Sequence, residues 1–163
     1  MKKLLNLISK VYLGVAIICM VALLVLLTLE IVARYFFDYS FVWSQEFFSI
    51  LICWITFLGF GKVVVDREDI MISFFVKKLS EGAIKMVGIV NSFLLFGISA
   101  VMLYFSFTLT ISHLDRTTLI MRASSAWFYA PLVLLLFLMV LVSIQQIILS
   151  IKGQYDMFAG EED

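Results

Sequence analysis

The chain has 163 residues, of which 63% are hydrophobic and 15% charged, with zero formal net charge and a mean hydropathy of +1.09. Soluble domains carry roughly 45–50% apolar and about 25% charged residues, so the composition excludes an ordinary soluble domain and indicates a polytopic membrane protein. Zero net charge also excludes a global field that would gather nucleic acid or acidic ligands.

The chain opens MKKLLNLISK and runs directly into apolar sequence. That run is longer than the about 7–15 residues of a secretory signal's apolar region, and no small-x-small cleavage site follows, so it reads as a retained signal anchor. Bulky Ile17 and Ile18 before Cys19 argue against a lipoprotein signal, and Cys19 and Cys53 read as small buried hydrophobes.

Four apolar segments follow, at about 11–33, 43–65, 86–112 and 126–151. A spanning helix needs roughly 20 residues, and hydrocarbon leaves no partner for an open strand's backbone, so all four are expected as transmembrane helices. Their apolar runs are continuous and do not alternate, which excludes a β-barrel strand pattern. Breakers are few. Gly59 and Gly61 are the main pair inside a span, and Pro131 falls in the first turns of the last one, where a missing N–H does little damage.

Charge orients the bundle. Lys2, Lys3, Lys10, Lys62, Arg67, Lys77, Lys78, Lys85 and Lys152 fall on one side, against Arg34, Arg116 and Arg122 on the other. The positive-inside rule then places both termini in the cytoplasm. The inner loop between spans two and three carries ISFFVKKLSEGA, with Ile72, Phe75, Val76 and Leu79 on one helical face. That spacing predicts an amphipathic helix over about 70–82, held in the headgroup region by its apolar face and by Lys77 and Lys78. Trp127 and Tyr129 follow the short outer loop at the depth of an aromatic belt. The predicted fold is therefore all-α integral membrane: one membrane domain over residues 1–163, four transmembrane helices, N-in/C-in, with an amphipathic interfacial helix and membrane lipid as its surroundings.

No catalytic or cofactor motif is present. The single histidine, His113, has no Cys or His neighbour at metal-ligand spacing, and no phosphate-cradling loop occurs, so neither cofactor nor metal is expected. The unusual stretch is Glu30 to Glu46, EIVARYFFDYSFVWSQE, which sets two carboxylates and a guanidinium at or near the buried ends of two apolar segments. Ionisable groups there are costly and face protein or water rather than lipid. Glu30 and Arg34 lie four apart and can pair on a helix, while Trp43 and Glu46, three apart, share a face. Together with Trp54 these form a candidate polar corner. Three readings stay open: pairing within the chain, an ion or proton site on Glu30 or Glu46 in a self-sufficient small transporter or channel, and a surface facing another membrane protein.

The ordered series Glu30-x3-Arg34, Phe37, Ser40, Trp43-x2-Glu46, Trp54 and Phe57-x-Gly59 resembles the small membrane subunit of tripartite ATP-independent periplasmic (TRAP) transporters. Length, four spans and the Arg67-to-Ile72 segment fit as well, and Trp127, Tyr129 and Pro131 match more loosely. Where the family often carries His-Ile after span two, this chain has Asp69-Ile70. The resemblance implies a non-enzymatic role beside a large multispan subunit that moves substrate by an elevator motion. It also implies a periplasmic substrate-binding protein that delivers an organic acid, such as a dicarboxylate or sialic acid, and sodium-driven symport. The small subunit would then brace the static scaffold of its partner.

Overall fold

A computed structural model describes residues 2–66 and 81–151 as four long helices. They are α1 (Lys2–Phe37), α2 (Ser44–Asp66), α3 (Glu81–Ser112) and α4 (Ala126–Ile151), and each is long and apolar enough to cross a membrane. The expected interfacial helix, with Ile72, Phe75, Val76, Lys77, Lys78 and Leu79, lies outside the described residues, although Glu81 and Gly82 already belong to α3.

Apolar content marks only the stretch that fits the hydrocarbon, whereas a helix persists until its backbone is broken. At about 1.5 Å per residue α1 extends about 54 Å, well beyond a hydrocarbon core of about 30 Å. It stops at Asp38, which has a left-handed φ of 53°, and the Tyr39 N–H turns back to the Ala33 carbonyl at 3.4 Å. Asp tolerates that conformation better than most residues.

The helices pack as an open row in the order α1, α2, α4, α3. The connections 38–43 and 113–125 share one end, the loop end. At the opposite end the row bends, and α1 touches α4. There Leu5, Val64, Leu138 and Val142 are buried together, with Ile8, Tyr12 and Met139 packed around them. Gly61 makes this junction possible: a Cβ on it would lie 3.0 Å from Tyr12 Cδ2 and 3.1 Å from Leu138 Cδ2. The Tyr12 hydroxyl donates to the Leu134 carbonyl at 3.2 Å, which fixes the ring across α4. Gly61 therefore acts as a contact surface, and α2 continues through it unbroken.

The edge helices remain largely uncovered. Only 11% of the most apolar window of α1, and of α3, is buried, against 28% for α2 and 33% for α4. Where α3 meets α4 the buried positions are Ser92, Ser99 and Ser106, one heptad apart, so small side chains set that seam. Close approach through small residues is the usual way helices associate in lipid, where apolar surface alone gives no preference.

Candidate functional site

Trp43 accepts the first helical hydrogen bond of α2, from Phe47 at 3.2 Å, which puts Glu46 in the first turn. A carboxylate there complements the positive end of the helix dipole. Its oxygens also have specific partners. The Ile120 N–H donates to Oε1 at 3.0 Å and the Met121 N–H to Oε2 at 2.9 Å. These consecutive amides form the tip of a small hairpin closed by Thr118 N–H to Ala123 carbonyl at 2.8 Å and Ser125 N–H to Arg116 carbonyl at 2.7 Å. Arg122, with φ 53°, makes its return bend. Glu46 thus fastens the loop between α3 and α4 onto the start of α2.

A second tie lies two turns deeper. Proline has no N–H, so Pro131 leaves the carbonyl four residues back, on Trp127, without its helical donor. The Trp54 indole N–H supplies the missing bond at 3.1 Å, and the two indole rings lie 5.9 Å apart. The proline in the first turns of α4 is therefore compensated from α2. Tyr129 packs edge-on against His113 at 5.1 Å, and His113 Nδ1 meets the Leu109 carbonyl at 2.9 Å. That carbonyl can only accept, so Nδ1 carries the proton in this contact.

Glu30 and Arg34 behave differently. Arg34 donates to Glu30 Oε1 at 3.0 Å, with the carboxylate side chain 10% exposed and the guanidinium side chain 63% exposed. The spacing expected to pair them does so, within one helix. Trp43 is also exposed, with its ring against Phe41 at 5.8 Å and Phe47 at 6.0 Å. Between α1 and α2 at this level lies a crevice of about 270 Å³, walled by Leu26, Leu29, Val32, Phe37, Phe41 and Phe48, with Glu30 in its lining.

The polar corner read from sequence is therefore two structures. Glu46 and Trp54 reach inward to the far side of their own chain, whereas Arg34 and Trp43 face outward. Among the described residues no group of three or more His, Cys, Asp or Glu side chains converges as a metal site would require.

A family model described as "Tripartite ATP-independent periplasmic transporters, DctQ component" matches residues 23–153. The chain belongs to this family. It is a small membrane component of a TRAP transporter, built of four apolar helices. No curated protein matches the chain. Of the remaining residues in the TRAP-like series, Phe37 and Ser40 are exposed, Phe57 is half-buried, and a Cβ on Gly59 would sit 4.0 Å from Ala16 Cβ on α1. Asp69 and Ile70 lie outside the described residues.

Sequence reasoning missed the acceptor role of Glu46, the Trp54–Trp127 tie and the Tyr12–Gly61–Leu138 junction. Only the second left a signal, because the distance from Pro131 to Trp127 names the freed carbonyl.

Proposed function

We infer that this TRAP component braces the static scaffold of a large elevator-type subunit in a sodium-driven symporter. A periplasmic binding protein hands that symporter an organic acid. The observation that carries this reading is the pair of uncovered edge helices. A row of four with its first and last members largely unburied has lateral surface to give a neighbour, and its inner pair is tied at the loop end by Glu46 and Trp54. An element that must stay still while another moves through the bilayer needs that stiffness. The outward Arg34 and Trp43 mark the edge suited to polar and aromatic contacts with the neighbour.

The nine basic residues on one side of the spans support cytoplasmic termini in a bacterial inner membrane, with the loop end in the periplasm. The Ile72–Leu79 pattern supports an in-plane anchor that resists tilting. Neither Glu30 nor Glu46 is needed to bind cargo, since transporter ion sites belong near the midplane, between broken helices.

The test is co-expression with the large subunit. Arg34→Ala combined with Trp43→Ala should lower recovery of the complex and sodium-driven uptake together. Wild-type recovery with wild-type uptake would refute the edge assignment. Flux through liposomes holding this chain alone would instead establish a self-sufficient transporter.

A further inference from the structure

The crevice between α1 and α2 is lined by apolar side chains apart from Glu30 and Ser44, and the Ser44 hydroxyl is already bonded to the Phe41 carbonyl at 2.7 Å. Glu30 lines it, and Arg34, one turn towards the helix end, is bonded to Glu30 Oε1. Glu30 Oε2 makes no hydrogen bond among the described residues, and Arg34 uses only Nη2 of a guanidinium with five N–H donors. Phe37, Phe41 and Trp43 stand at its walls near the end of α1. Aromatic side chains in that position mark the boundary between acyl chains and headgroups.

We propose that this crevice is a binding site for one aminophospholipid of the surrounding leaflet, with acyl carbons between α1 and α2 and the headgroup on the Glu30–Arg34 pair. Charge complementarity selects that occupant. A phosphodiester takes the spare guanidinium donors, and guanidinium–phosphate pairs are among the strong charge-assisted hydrogen bonds. A primary ammonium on the same headgroup donates to Glu30 Oε2. The four charges then alternate in sign and sum to zero, as a site at the edge of hydrocarbon requires. A glycerol headgroup offers no cation to Glu30 and leaves the site negative. A choline headgroup has the cation but no N–H to donate. The crevice thus distinguishes ethanolamine lipids from both.

This inference does not depend on the bracing role, because it is tested on the full-length chain alone. The chain would be purified in mild detergent and mixed with ethanolamine, choline and glycerol phospholipids of matched acyl chains, and bound lipid read by native mass spectrometry. One ethanolamine lipid should be retained in preference to the others. Glu30→Gln should reduce that preference about tenfold, the equivalent of one charge-assisted hydrogen bond. Ala33→Leu, which narrows the crevice wall without touching either charge, should reduce retention of all three lipids. Equal retention of the three by the wild-type chain would overturn the proposal and leave only the ordinary lipid annulus. An ethanolamine preference unchanged by Glu30→Gln would overturn it too. So would one-for-one expulsion of the lipid when the large subunit binds, which would make the crevice a seat for protein.

Discussion

At the loop end, α2 has two flanks. Towards α4 it is fastened twice, by the Glu46 carboxylate on the Ile120 and Met121 amides and by the Trp54 indole on the Trp127 carbonyl. Towards α1 it is separated by a crevice, and the nearest polar pair, Glu30 and Arg34, closes on itself within one helix. Two carboxylates sixteen positions apart, Glu30 and Glu46, serve opposite ends. In one case a carboxylate supplies acceptors to backbone amides that a turn leaves without partners. In the other the pair neutralises itself and leaves most of the guanidinium free to bond elsewhere. A charged residue near a membrane boundary is therefore not evidence of a partner until its own chain's backbone donors have been accounted for.

The sharpest way to break the contrast is at the closed end of α1. Tyr12 and Leu138 cannot both retreat from a larger residue at position 61, because Leu138 is fully buried and the Tyr12 hydroxyl is bonded to α4. Gly61→Leu should destabilise the chain by about 1–3 kcal/mol, the range for overpacked cores. Thermal unfolding in detergent would measure it. An unchanged transition would show that α1 is not held against α4 there.

A smaller, local effect would sharpen the contrast at the loop end. Glu46→Ala removes the acceptor for two backbone amides, so hydrogen exchange in a peptide covering Ile120 and Met121 should accelerate. Glu46→Gln, with one carbonyl oxygen left, should fall between that variant and the wild type. Glu30→Ala should leave those amides untouched. If Glu30→Ala loosened them as much as Glu46→Ala, the two flanks of α2 would be one coupled structure.

The four helices were legible because continuous apolar runs admit one backbone solution in lipid. The Glu30–Arg34 pair was legible because helical geometry fixes a spacing of four without further information. What escaped is tertiary. The amides of Ile120 and Met121 carry no side-chain signature, so nothing near Glu46 announces donors more than seventy residues away. Gly61 reads as a breaker in one dimension and as a contact in three. Pro131 is intermediate: the sequence names the carbonyl it frees, and only the packing of α2 on α4 names Trp54 as the donor.

The smallest expected effect concerns Arg34. Its guanidinium is mostly exposed but the Glu30 carboxylate beside it is buried, so Arg34→Ala made together with Glu30→Gln, which leaves no unpaired buried charge, should barely shift the unfolding transition of the isolated chain. If Arg34 serves an external contact, that near-silence in stability must coincide with a measurable loss of bound lipid or of complex. A fall in stability like that of Gly61→Leu would mean the pair holds this chain's own helices together. Glu30–Arg34 would then belong with Glu46 and Trp54 as internal fastening, and the open flank of α2 would owe its shape to packing alone.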